Sequence, residues 1–276
     1  MPDLSHFPAP QDLATQLAER LPTFGDVAWL QETGSSNADL LSRARAQGAV
    51  AARPWILGAH RQQAARGRAG RAWQNTPGAC LMFSCAFDTH LRGASLPSLS
   101  PLIGLATCES LRALAGDKAG RLQVKWPNDL HFDDAKLAGV LVETVRKSAG
   151  TKDGYVVVIG IGVNLSGGAG LSQSLQRPVA DWTQVGASTA LPDVIAALAL
   201  AWQGAIAQLE AEGFDPVLAR YARVDALAGQ RIDVLDQGRL LHRGQAGGLD
   251  VHGRLLVHTA QGCIPVAVGE VSVRKP

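Results

Sequence analysis

Two stretches of this 276-residue chain concentrate groups able to hold an anion. In the first, Gln62-Gln63-Ala64-Ala65-Arg66-Gly67-Arg68-Ala69-Gly70-Arg71-Ala72-Trp73, three arginines are separated by glycine and alanine and closed by a tryptophan. Guanidinium forks match carboxylate and phosphate geometry. Glycine lets a backbone approach a ligand closely and take positive φ. The stretch reads as a mobile cationic loop able to close over an anion, although a solvated basic loop or a non-specific nucleic-acid patch has the same short pattern. In the second, Lys125-Trp126-Pro127-Asn128-Asp129, a cation, a large aromatic and two Asx groups leave a strand end together. Alone it is equally a Pro-Asn-Asp turn on an edge strand. Lys136 follows seven residues after Asp129, ahead of Leu137-Ala138-Gly139. A hairpin there returns Lys136 beside the strand that carries Lys125. Two lysines and an arginine loop converging on one sheet face suit a polyanionic ligand.

Other motifs narrow the field. Ser35-Ser36-Asn37 precedes a helical stretch, where it can be a cap or can meet a polar ligand beside the free N–H groups of the helix. Gly160-Ile161-Gly162-Val163-Asn164 lacks the third glycine of a dinucleotide fingerprint, and no GxxxxGK[ST] occurs, which excludes a P-loop. The seven histidines show no paired spacing, so no residue is assigned to a metal. Cys80, Cys85, Cys108 and Cys263 form no CxxC pair and read as reduced core thiols.

The elements that must position these groups are legible in outline. Residues 1–10 are Pro-rich and read as loosely ordered. Helices are expected over 11–21, 38–47, 101–114, 192–210 and 215–229, and strands over 27–31, 54–60, 81–87, 122–126, 130–132, 136–143 and 155–165. The last three strands are joined by short turns, which implies an antiparallel meander. After Gly229 the texture changes to short strands about ten residues apart (231–235, 240–246, 253–259, 264–271), the pattern of a small β-barrel. The boundary falls near 226–229, giving units 1–226 and 227–276. A hydrophobic share of 46% against 18% charged residues describes an ordinary globular protein, and a net charge of +2 argues against a dedicated nucleic-acid binder. The start of the chain has no signal-peptide pattern. The apolar run from Val194 to Ile206 is shorter than a bilayer span. A cytoplasmic protein is expected, with no membrane partner.

Taken in order, these motifs resemble those of the biotin protein ligases across about residues 30–275: Ser35-Ser36-Asn37, the arginine loop, Lys125-Trp126-Pro127-Asn128-Asp129, Lys136-Leu137-Ala138-Gly139, Gly160-Ile161-Gly162-Val163-Asn164 and the tail Gly269-Glu270-Val271-Ser272. The chain departs from the family pattern at Ala65, where glycine is usual, at Ala69, where a third cation is usual, and at Ser36, where threonine is usual. The resemblance implies an α+β fold: a mixed, largely antiparallel sheet with packed helices, like class II aminoacyl-tRNA synthetases and biotinyl–lipoyl ligases, plus a small carboxy-terminal SH3-like β-barrel.

The activity implied is a two-step ligation. Biotin's carboxylate attacks the α-phosphate of ATP to give biotinyl-5′-AMP and pyrophosphate. A lysine of a biotin carboxyl carrier protein, an acetyl-CoA carboxylase subunit, then displaces AMP. By the same resemblance, Lys136, Arg68, Lys125 and Asp129 are the catalytic set. Ser35, Ser36, Asn37, Gln62, Arg66, Gly67, Arg68, Trp73, Lys136 and Gly139 meet biotin. Arg71, Trp73, Trp126, Asn128, Lys136 and Asn164 meet ATP, with Mg²⁺ on its phosphates. A homodimer is the assembly implied. The alternatives are a lipoate or octanoate ligase or transferase of the same fold and a non-catalytic biotin-binding protein. A DNA-binding repressor would need more than the thirty or so residues ahead of Ser35.

Overall fold

The computed structural model describes residues 7–47, 52–74, 78–147, 154–186, 189–269 and 272–274. Strands β1 (Asp26–Thr33), β2 (Trp55–Gln62), β3 (Cys80–Thr89), β4 (Leu122–Lys125), β5 (Asp129–Phe132), β6 (Ala135–Arg146) and β7 (Tyr155–Asn164) form one sheet in the order β1-β2-β3-β7-β6-β5-β4. Only β1 and β2 pair in parallel, and β4 to β7 are the expected meander. The helices are α1 (Pro10–Arg20), α2 (Ser36–Gln47), α3 (Leu99–Leu114), α4 (Gly168–Leu175), α5 (Trp182–Val185), α6 (Leu191–Glu212) and α7 (Asp215–Ala222).

The central strands β3 and β7 are buried on both faces, and period-two alternation sorts their side chains. Phe83, Cys85, Phe87, Val157, Ile159 and Ile161 enter the main core with residues of α1, α3 and α6. Ala86, Val156 and Val158 face the other way, against Leu40, Leu41 and Ala44 of α2. α2 covers only part of that second face, which continues beyond its amino end. There the sequence places Ser84, Gly160 and Gly162.

Several expectations need correction. The apolar run thought too short for a span is part of α6, 22 residues long and apolar enough to cross a bilayer by length and composition. Its length serves the core instead. Ile195, Leu198, Trp202 and Ile206 are buried, and Trp202 Nε1 donates to Thr107 Oγ1 of α3 at 2.9 Å. The helix expected to run to Gly229 stops at Ala222. Beyond it the chain pairs with β4: Val124 N–H donates to Val224 C=O at 2.7 Å and Ala226 N–H to Val124 C=O at 2.9 Å. Two helices went unpredicted, although Asp181 and Gln184 form a capping box that signals α5. The 1–10 segment falls mostly outside the described residues, and α1 already begins at Pro10.

The carboxy-terminal strands β8 (Arg231–Asp236), β9 (Arg239–Leu249), β10 (Leu255–Thr259), β11 (Gly262–Val266) and β12 (Ser272–Arg274) make a second, antiparallel sheet ordered β11-β10-β9-β8-β12. Of the strand expected over 264–271 only residues 264–266 are strand, in β11; residues 267–269 are not, residues 270 and 271 lie outside the described residues, and β12 at the opposite edge begins beyond the expected range. Cys80, Cys85 and Cys108 are buried as expected, whereas Cys263 is exposed on edge strand β11 and is no core thiol.

Candidate active site

A cavity of about 950 Å³ opens on the sheet face beyond the amino end of α2. Its floor is made of glycines because side chains from elsewhere lie flat on it. A Cβ on Gly162 would sit 2.6 Å from the Trp73 indole, and one on Gly160 would sit 2.5 Å from Asn37 Oδ1. Gly139 lies under both Trp73 and Lys136.

One end of the cavity is neutral and polar. Ser36 N–H donates to Gln62 Oε1 at 3.2 Å, and Gln62 Nε2 donates to Ser36 Oγ at 2.9 Å. Ser36 Oγ and Ser84 Oγ lie 2.7 Å apart. Since Ser36 Oγ already accepts from Gln62, its own proton can go to Ser84, leaving the Ser84 hydroxyl able to donate into the cavity. Asn37 Nδ2 donates to Glu143 Oε2 at 2.7 Å, while Asn37 Oδ1 is buried and accepts no hydrogen bond among the described residues. Ser35 occupies the cap position of α2, its Oγ 3.5 Å from Ala38 N. Ser35 thus caps the helix and also lines the cavity.

The other end is cationic. The arginine stretch is a formed turn: Arg66 bridges Ala72, Gly67 N–H donates to Arg71 C=O at 2.7 Å, and Trp73 N–H donates to Ala65 C=O at 2.9 Å. Ala69 and Gly70 both take positive φ (54° and 67°) at its tip. Ala65 is buried with Cys80 and Met82, anchoring the turn on the sheet. Arg68 Nη1 donates to Asn128 Oδ1 at 3.4 Å and Nη2 to Gly269 C=O, so this guanidinium joins the turn to the segment that follows β11. Burial lowers the Arg68 pKa, with Asp129 opposing and Arg71 adding to the fall.

Lys136 stands where the two ends meet. Its Nζ is 2.6 Å from Asp129 Oδ1 and 5.3 Å from the Trp73 ring centre. A bulge sets this position. Leu130 pairs with Ala138 but His131 with Lys136, so Leu137 is the extra residue. Leu137 and Ala138 both enter the core, and Lys136 joins Gly139 on the cavity side despite their odd separation. Burial would raise the Asp129 carboxyl, but Lys136, with His131 and Lys125, outweighs it and holds the group below the usual carboxylate range. Burial pushes His131 down to about 4, against the pull of Asp129.

Of the residues expected at the site, Ser35, Ser36, Asn37, Gln62, Arg66, Gly67, Arg68, Arg71, Trp73, Lys125, Trp126, Asn128, Asp129, Lys136 and Gly139 all line this cavity. Asn164 does not. Its Nδ2 donates to Ala180 C=O at 3.1 Å and Lys136 C=O at 3.4 Å, behind the lysine. Asn128 is likewise stitched to β6, donating to Val140 C=O, yet still faces the cavity. Ser84 and His131 were missed. Ser84 had a signal, as a polar residue amid the apolar run of β3, whereas His131 had none. Glu270 and Val271 of the tail motif lie outside the described residues. Among the described residues no group of three or more His, Cys, Asp or Glu could hold a metal ion. The cavity carboxylates are Asp129 and Asp134.

Comparison with known proteins matches residues 46–164 to the Biotin/lipoate A/B protein ligase family. The chain is 32% identical over 251 residues to the biotin–[acetyl-CoA-carboxylase] ligase of Paracoccus denitrificans, covering 88% of this chain and 98% of that one. It belongs to the biotin protein ligase family. The bifunctional ligase/repressor BirA of Salmonella typhimurium is 32% identical over 213 residues, 77% of this chain, and the chain spans 64% of BirA's length. Among solved structures, the biotin protein ligase from Aquifex aeolicus in complex with biotin and ATP superposes with a TM-score of 0.72 at 23% identity, over 91% of this chain and 99% of that one. The fold is therefore that of the biotin protein ligases, with the small SH3-like sheet at the carboxy terminus.

Proposed function

We propose that this chain joins biotin to ATP as biotinyl-5′-AMP and then transfers the biotinyl group to a lysine of a biotin carboxyl carrier protein. The observation that carries the reading is one cavity whose buried neutral end and cationic end meet at Lys136. A cyclic urea demands paired donors and acceptors when buried, and the Ser36, Asn37, Gln62 and Ser84 cluster supplies them. A dithiolane would leave these groups without partners, which favours biotin over lipoate.

In the first step a carboxylate oxygen of biotin bonds to the α-phosphorus, the bond to the bridging oxygen breaks, and pyrophosphate leaves. The two reactants are both anions, so cations must neutralise them as they approach. Lys136 serves the carboxylate and α-phosphate together, exchanging its contact with Asp129 for the ligands. Arg66, Arg68 and Arg71 close over the phosphates, and Lys125 adds to the positive field. Mg²⁺ would arrive on the triphosphate and neutralise its oxygens, with Asp129 and Asp134 the carboxylates of the cavity that could face it. Trp73 and Trp126 flank the ligand. Asn164 acts from behind by fixing the Lys136 backbone. In the second step the carrier amine attacks the acyl carbon and AMP leaves with the bonding electrons. The Paracoccus relative is named for acetyl-CoA carboxylase, and we infer the same carrier class here. Residues 1–226 form the catalytic unit and 227–276 the SH3-like unit.

Pyrophosphate release from purified protein with Mg·ATP, comparing biotin, lipoate and no acid, tests the reading, with mass spectrometry for the adenylate. Release with biotin alone is expected. Release with lipoate alone moves the chain to the rival activity, and release with neither ends the ligase mechanism.

A further inference from the structure

Glu143 belongs to none of the motifs that carry the family resemblance and does not line the cavity, yet it decides the polarity of one wall. It stands half-buried on β6, on the same sheet face as α2. Its carboxylate accepts from Asn37 Nδ2 at 2.7 Å. An ionised carboxylate can only accept, so the amide nitrogen of Asn37 must face Glu143 and the oxygen must face away. That oxygen is buried, has no partner among the described residues, and lies over Gly160 of the cavity floor. Asn37 itself is only 4% exposed. An amide that donates to a carboxylate is polarised, and its oxygen becomes the better acceptor.

The neighbouring group completes a pattern. Asn37 Oδ1 and Ser84 Oγ both lie within 3.0 Å of the point a Cβ on Gly160 would occupy. An acceptor and a hydroxyl donor side by side match one N–H and the adjacent C=O of a cyclic urea. We infer that Glu143 is a positioning residue, which locks the Asn37 amide so that its oxygen takes a ureido N–H of the ligand. The inference rests on biotin being that ligand. It assigns to Glu143 the choice between an N–H and a bare acceptor at this position.

The test pairs ligands with variants. The ligands are biotin and its two cyclic-carbamate analogues, in which one or the other ureido N–H is replaced by ring oxygen. The readouts are dissociation constants by calorimetry, with KM for biotin, KM for ATP and kcat from pyrophosphate release. The wild-type protein is expected to reject one carbamate by about a hundredfold or more, since a buried acceptor is left facing a ring oxygen. In Glu143→Gln the new amide can either accept from Asn37 Nδ2 or donate to Asn37 Oδ1, so the Asn37 amide is no longer held in one orientation and its NH₂ can turn toward the cavity. Biotin KM should then rise about tenfold or more, kcat and ATP KM should stay within about twofold, and discrimination against that carbamate should fall by a similar factor. Asn37→Asp sets two carboxylates against each other and should lose biotin binding. Adding Glu143→Gln restores a donor to the new carboxylate and should recover at least part of it. Equal binding of both carbamates by the wild type, or no rescue in the double variant, overturns the proposal. Should the wild type bind no biotin at all, the functional reading falls first, and the two failures are told apart.

Discussion

Lys136 is held by Asp129 at 2.6 Å and lies over the face of Trp73, so its ammonium is placed before any ligand arrives. Losing the cation proposed to serve both reactants should cost about 10²–10³-fold in biotin-dependent pyrophosphate release in Lys136→Ala, and should also lower the melting temperature, because Asp129 is left without its ion-pair partner. The same cluster sets an acid signature. His131 is held neutral, its pKa lowered from 6.5 to about 4 by burial. As pH falls below 6.5 the unfolded chain takes up a proton there before the folded one does, so stability is lost across that window down to about 4 and no further. Asp129, depressed from 3.8, contributes stability that is present above that value and is lost only below it. His131→Gln should therefore flatten the urea-midpoint slope between about pH 6.5 and 4 while leaving the drop below 3.8 in place.

At the scale of elements, the site depends on backbones that carry no side chain and on a single extra residue in a strand. Gly162 allows the Trp73 indole to lie on β7, where a Cβ would meet it at 2.6 Å. Gly162→Ala should displace that rigid ring, lowering stability by about 1–3 kcal/mol in urea titrations and weakening ligand binding. Gly170, inside α4, is the contrast, because a Cβ there meets nothing within 4 Å. Gly170→Ala should raise stability by about 0.5–1 kcal/mol through helix propensity alone. The β6 bulge has a similar logic. It turns Leu137 and Ala138 together into the core, and this frees Lys136 to face the cavity.

Across the molecule, the Lys125–Asp129 turn is clamped between the two sheets. Trp126 is 2% exposed, and its Nε1 donates to Gly253 C=O at 3.1 Å. The turn before β10 also abuts α3, since a Cβ on Gly253 would come 2.9 Å from Pro101 Cγ. Arg68 reaches Gly269 in the segment that follows β11. Trp126→Phe keeps most of the packing but leaves the Gly253 carbonyl buried without that donor. We expect a loss of about 1–3 kcal/mol in denaturant unfolding and a higher KM for ATP, because the loosened turn carries Lys125, Asn128 and Asp129.

The sequence by itself determined the groups and their order. The arginine turn, the Lys125–Asp129 segment and the Ser35–Asn37 cluster are local patterns of residue type, and local patterns survive whatever the fold does around them. The apolar runs of β3 and β7 and the apolar spacing in α3 and α6 were readable for the same reason: burial of both strand faces and of one helix face demands them. Tertiary structure decided what those patterns could not. Which sheet edge receives residues 224–226, where β6 bulges, and that Asn164 sits behind Lys136 instead of lining the cavity all depend on partners distant in sequence. So does the role of Glu143. It is an ordinary exposed-strand residue by pattern, and only the packing of α2 on the sheet brings Asn37, 106 positions away, to its carboxylate.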